Sequence, residues 1–185
     1  MRKVIENLRL PEGVFKAEVI VFDESDRAYL KQMYNDWRNL TDSLKRVSAR
    51  GINLPEGISE SAFCLEMGAV RTAESISGAN SSWDCYDLNR GKRIQVKACS
   101  VLPDLTSFGP SSQWDEIYFL DFYREGIWDG SFGIYQIETN MIYSHQVNRL
   151  QTFAEQQAQG RRPRFSIFKD IIIPNNIQPV KIGQL

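Results

Sequence analysis

Apolar residues recur along this chain in two rhythms, one helical and one strand-like, and clusters of Gly, Pro, Ser and Asn mark the changes between them. Val14 to Phe22 hold the apolar run Val19-Ile20-Val21-Phe22, which reads as a strand or as the lead-in to a helix. Asp23-Glu24-Ser25-Asp26 supplies N-cap side chains. From Arg27 to Ala49, Tyr29, Leu30, Met33, Trp37, Leu40, Leu44 and Val47 fall at helical spacing, and Gly51 and Pro55 close the segment. Ser59 is placed to cap a second helix over about Glu60 to Ser75, carrying Phe63, Met67, Val70 and Ala73.

The strand rhythm takes over after the loop Gly78-Ala79-Asn80-Ser81-Ser82. Trp83 to Lys97 reads as two short strands joined at Asn89-Arg90-Gly91-Lys92, where Asn and Gly tolerate the positive φ of a tight turn. Ile94 to Leu102 is strand-like until Pro103, and a Ser, Gly and Pro loop spans Thr106 to Ser112. Ile117-Tyr118-Phe119-Leu120-Asp121-Phe122 predicts a buried strand, Gly126 to Gly130 a turn, and Gly133 to Ile137 another strand. Thr139 or Asn140 caps a predicted helix to about Gln159; Gly160-Arg161-Arg162-Pro163-Arg164 is a basic loop; Phe165 to Ile173 alternates like a final strand. The order predicts a single α/β domain, a central mixed β-sheet flanked by helices. Residues 1–55 form its expected N-terminal helical part, 56–173 its core and 174–185 a tail.

Composition changes this picture little. Hydrophobic content is 42% and charged content 24%, ordinary for a globular domain. No apolar run nears the roughly 20 residues that cross a bilayer, and the first residues lack the apolar centre of a secretion signal. A cytoplasmic protein is expected, with no membrane partner. Three cysteines without a CxxC pair argue against a disulfide framework or zinc site and read as buried free thiols. The single His145 excludes most histidine-based metal and triad chemistry. Net charge is −1, but it is unevenly spread. Arg149 to Leu185 carry six basic residues against two acidic ones, and Asp104 to Glu138 seven acidic residues against Arg124. Such asymmetry is compatible with a basic surface for a polyanion.

The hairpin carries the candidate chemistry. With the turn centred on Arg90-Gly91, Leu88 stands opposite Arg93, Tyr86 opposite Gln95 and Asp84 opposite Lys97. Alternation then puts Asp84, Gln95 and Lys97 on one face. A carboxylate, an amide and an ammonium so close can hold a divalent metal and activate a water, as phosphodiester hydrolysis requires. Magnesium favours hard oxygen ligands; Asp84 can be the central one and the Val96 carbonyl a second, with Lys97 orienting or deprotonating the water or neutralising developing charge. Gln95 is neutral, so a further carboxylate would compensate; of Glu60, Glu66 and Glu74 on the preceding helix, Glu60 in the first turn is favoured, because a helix N-terminus can be aimed at the site, and Glu66 is the close alternative. The alternative is an ordinary cross-strand ion pair between Asp84 and Lys97. A one-residue slip would exchange Asp84 for Asp87.

Asp84 followed by Ile94-Gln95-Val96-Lys97-Ala98 resembles the motif of the PD-(D/E)xK nucleases, which include type II restriction endonucleases, junction resolvases and repair nucleases. A Glu-bearing helix before the motif, strands and a helix after it, and the stretch from Ser107-Phe108-Gly109-Pro110 to Asp121 fit the same pattern, over about Ile58 to Ile173. Trp83 stands where that motif has Pro, and Gln95 where it usually has Glu or Asp. The resemblance implies a restriction-endonuclease-like fold, with Asp84 as metal ligand, Gln95 at the second ligand position, Lys97 as catalytic lysine and Glu60 or Glu66 as helix carboxylate. It also implies Mg2+ as cofactor, cleavage of double-stranded DNA to 5′-phosphates, and a homodimer for a palindromic site. It looks closest to compact type II enzymes that cut short GC-rich palindromes with an unspecified central base. A structure-selective repair or resolvase-type nuclease, and a non-catalytic DNA-binding module with a decayed site, are the alternatives. Residues suited to base edges or phosphates are Gln146, Asn148, Arg149 and Gln151, then Arg161, Arg162 and Arg164, with Ser107, Ser111, Ser112 and Gln113 as a second patch.

Overall fold

A computed structural model describes residues 1–47, 51–80 and 82–185. Among the described residues its centre is a mixed sheet of eight strands in the order β1-β2-β3-β4-β5-β7-β8-β10, in which only β5 and β7 run parallel. The strands are β1 (Arg2–Leu10), β2 (Gly13–Val21), β3 (Val70–Thr72), β4 (Cys85–Asp87), β5 (Lys92–Cys99), β7 (Glu116–Asp121), β8 (Ser131–Ile137) and β10 (Lys181–Gln184). A small second sheet pairs β6 (Thr106–Ser107) with β9 (Arg164–Phe165). The helices are α1 (Arg27–Lys45), α2 (Glu56–Met67), α3 (Thr139–Tyr143) and α4 (Phe153–Ala158).

The central sheet and its helices agree with the expected class, and several elements differ. The N-terminal part is not wholly helical: β1 and β2 make a hairpin in which Leu10 pairs with Gly13 across Pro11-Glu12. Leu8, Leu10, Ala17 and Val19 enter a satellite core with Val70, Trp83 and Tyr86, while charged residues alternate outward, which hides the period. In α1 the buried face is Leu30, Tyr34, Trp37 and Thr41; Tyr29 and Leu40 are exposed. The expected end of that helix at Ala49 lies outside the described residues, as does Ser81.

Helix α2 starts earlier and stops sooner than its spacing predicted. Pro55 occupies the N-cap position, and Ser59 lies inside the helix, its hydroxyl donating to the Glu56 carbonyl at 3.1 Å. Gly68 adopts φ +70° and ends the helix by donating its N–H to the Cys64 carbonyl. A left-handed residue there is cheap only for glycine, so Val70–Thr72 is free to become β3.

The long C-terminal helix is two short ones. Asn148 turns the chain by accepting the N–H groups of Leu150 and Gln151, and Thr152 with Glu155 forms a new capping box that starts α4. Phe165 to Ile173 supplies only β9 before a π-helical turn at Phe168–Ile172. The tail contributes β10, paired with β8 at the sheet edge. One core lies between the sheet and α1 and α2; another lies on the opposite face around Phe108, Trp114, Phe119, Phe153 and Phe165. All three cysteines are free and buried. Among the described residues no helix is long and apolar enough to cross a membrane.

Candidate active site

The β4–β5 hairpin sets the site. Asp87 accepts the N–H groups of Asn89 and Arg90, and Gly91 at φ +65° completes the turn. Tyr86 therefore pairs with Arg93, not with Gln95. A two-residue shift leaves the faces unchanged, since side chains alternate with a period of two. Asp87 stays away from the site, engaged by its own turn and by Arg90.

Asp84 leaves the ladder just before β4. Its N–H donates to the Ile94 carbonyl at 3.0 Å while its own carbonyl accepts from Thr72. That departure aims its carboxylate across at β5, where Oδ2 accepts the Val96 N–H at 2.8 Å and the Gln95 amide. The N–H and C=O of one strand residue face the same strand edge, so the Val96 carbonyl looks to the same side as Asp84, where β4 has ended. Burial pushes the Asp84 carboxyl up, against the pull of the Lys97 ammonium and the Val96 N–H, and the Glu56 charge pushes it further. Lys97 is held with its Nζ 5.5 Å from the centre of the Phe108 ring.

Helix α2 delivers two carboxylates one turn apart. Glu60 is buried and ion-paired with Arg71 of β3. Burial first, and then the Asp84 charge, raise its carboxyl to about 7. Glu56, which sequence reasoning missed, borders two clefts. One of about 310 Å³ is lined by Glu56, Glu60, Arg71, Trp83 and Asp84, and one of about 320 Å³ by Glu56, Val96, Lys97, Asp104 and Ser107. Its signal was Pro55-Glu56, a proline and an acid at a helix start. Glu66 does not join this group: it stands near the other end of α2, bridging Arg27 and Lys181.

The donor set fits a hard divalent cation. Carboxylates that raise one another's proton affinity are relieved by positive charge, and every donor is oxygen. Among the described residues no three His, Cys, Asp or Glu side chains make a cage by themselves. Beside Asp84 the Val96 carbonyl is an oxygen that could complement it, and Glu56 and Glu60 line the same clefts, whereas Gln95 turns its amide N–H to Asp84 and lines neither cleft.

The raised Glu60 carboxyl has a consequence for stability. Its folded value of about 7 exceeds the ordinary 4.5, so the fold prefers its protonated form. That stability is full below about pH 4.5 and is lost as pH rises through about 7. In chelator, wild type is expected to melt progressively lower over that range. Glu60→Gln should flatten the slope and gain about 3 kcal/mol over wild type near pH 8. Parallel pH–melting curves for the two proteins would show this account of Glu60 to be wrong.

The C-terminal residues expected at DNA lie in the segments that follow α3 and α4. Gln146, Asn148, Arg149, Arg161, Arg162 and Arg164 are exposed. Arg161 donates to Gln151 at 3.2 Å, and Gln151 to Gln159 at 2.9 Å, tying the loop after α3 to the one after α4. Ser112 is buried and its hydroxyl accepts the Gly109 N–H, so it holds a turn below the surface. Ser111 and Gln113 are exposed and fixed through their backbone to Ser82. Ser107 lines the Lys97 cleft.

A mixed sheet bearing this acidic site beside a lysine belongs here to a definite class of protein: the chain is a member of a restriction endonuclease family. The family is that of Bsp6I, the Bsp6I restriction endonuclease, whose model matches residues 22–174. The type II restriction enzyme Bsp6I of Bacillus sp. (strain RFL6) is 37% identical, over 86% of this chain and 85% of that enzyme. No solved structure matches the chain. The matched span holds every site residue above and leaves out the β1–β2 hairpin and β10.

Proposed function

We propose that this chain is a type II restriction endonuclease of the PD-(D/E)xK superfamily that hydrolyses double-stranded DNA with Mg2+ and leaves 5′-phosphates. The observation that carries the reading is the convergence of Asp84, Gln95, the Val96 carbonyl and Lys97 beside Glu56 and Glu60, in a member of the Bsp6I family. Asp84 and the Val96 carbonyl would hold the cation, with Gln95 and the α2 carboxylates completing its surroundings. When bound, the cation would polarise the phosphate and lower the pKa of a nearby water.

Lys97 orients the attacking water and stabilises the negative charge that develops on the phosphate oxygens. Phe108 limits where its ammonium can go. The water oxygen forms the new bond to phosphorus and gives its proton to solvent, the bond to the 3′ oxygen breaks, and that oxygen takes up a proton from solvent. Arg71 keeps Glu60 facing the cleft. Cutting both strands of a palindrome calls for two such sites, hence a homodimer.

Digestion of phage DNA with and without magnesium tests the reading. Discrete fragments with 5′-phosphate ends, formed only with the metal, are expected. A smear, or a preference for branched DNA, would move the assignment to a structure-selective nuclease. Binding without cutting would mark a decayed site.

A further inference from the structure

The small β6–β9 sheet takes no part in the chemistry above, yet it places two phosphate-binding groups side by side. Ser107 of β6 lies directly opposite Arg164 of β9. Opposed residues project to the same face about 5 Å apart. Their neighbours Thr106 and Phe165 form the other pair and are buried, so alternation turns Ser107 and Arg164 away from the core. Arg164 is exposed and, among the described residues, enters no ion pair. The Ser107 hydroxyl is the reverse: its oxygen is buried and, among the described residues, lacks a hydrogen-bond partner.

An unpaired buried hydroxyl is costly, and a ligand that pairs it recovers the cost. The position of this one says which ligand. Ser107 lines the cleft that holds Lys97. The next residue, Phe108, carries the Lys97 ammonium over its ring. A recessed hydroxyl beside an exposed guanidinium matches the non-bridging oxygens of a phosphodiester, whereas base edges are read by side chains that project into a groove. Arg161, by contrast, is tied to Gln151. We infer that Ser107 and Arg164 clamp a DNA backbone phosphate next to the scissile one, an inference that rests on the nuclease reading above. The clamp sets the register of the strand over Lys97 without reading sequence.

The test is a fluorescence-anisotropy titration, over a salt series in chelator, of wild type, Ser107→Ala, Arg164→Ala and Arg164→Lys. Two duplexes serve as probes, one that wild type cuts and one that it leaves intact. Arg164→Ala should weaken binding to both alike and reduce the slope of log affinity against log salt by about one, with Arg164→Lys restoring the slope. Ser107→Ala should weaken both about tenfold with the slope kept. Unchanged affinity and slope in Arg164→Ala, or a loss confined to the cut duplex, would overturn the clamp while leaving the nuclease reading intact. A wild type that neither binds nor cuts DNA would overturn both.

Discussion

Asp84→Ala is expected to lose DNA cleavage by at least about a thousandfold while keeping its fold and its affinity for duplex. Asp84 is the carboxylate that β5 receives directly, through the Val96 N–H and the Gln95 amide, and Gln95 is neutral and cannot replace its charge. Glu60 is occupied by Arg71. The loss should not come from unfolding. Burial disfavours the Asp84 charge, but Ala also leaves the Val96 N–H and the Gln95 amide without their acceptor, so Asp84→Asn, which keeps an acceptor oxygen and drops the charge, should lose cutting on the same scale without melting lower above neutral pH in chelator. Lys97→Ala should lose cutting on a similar scale. Single-turnover cleavage beside a binding titration reads both quantities, and either variant cutting within about tenfold of wild type would remove that residue from the site.

Asp104→Ala is expected to destabilise the protein by about 3 kcal/mol, lowering the melting temperature by about 10 °C. Asp104 is buried after β5 and gathers four donors: the Thr106 hydroxyl at 2.8 Å, the Ser166 hydroxyl, and the N–H groups of Ile167 and Phe168 at 2.9 and 3.2 Å. Two of those donors are backbone amides, one of them the fully buried Ile167 N–H, and leaving it unpaired carries the full cost of its burial. The same carboxylate joins β6 to the segment after β9, so its loss should also loosen the Ser107–Arg164 pair and weaken DNA binding. Thermal melts and the duplex titration measure the two effects; a melting temperature within about 2 °C of wild type would show that the network is dispensable.

The amino-acid sequence by itself determined which candidate residues the hairpin brings together. Asp84, Gln95 and Lys97 were legible because a hairpin brings residues near in the chain near in space, and the faces survived an error in register because that error was even. The sheet class and the buried strand β7 were legible for the same local reason, since an apolar run needs no partner to be recognised. Only the tertiary structure decided the rest. It chose Glu60 and Glu56 over Glu66, because which carboxylates of α2 meet Asp84 depends on how the helix lies on the sheet, and Arg27 and Lys181, remote in sequence, engage Glu66. It divided the C-terminal helix, where the capping box at Thr152 outweighs continued helical spacing. It made strands of Arg2–Leu10 and Lys181–Gln184, whose backbone hydrogen bonds are met by partners that no local pattern names. And it set Ser107 against Arg164 across 57 residues of chain, a pairing that only the closing of a long loop can make.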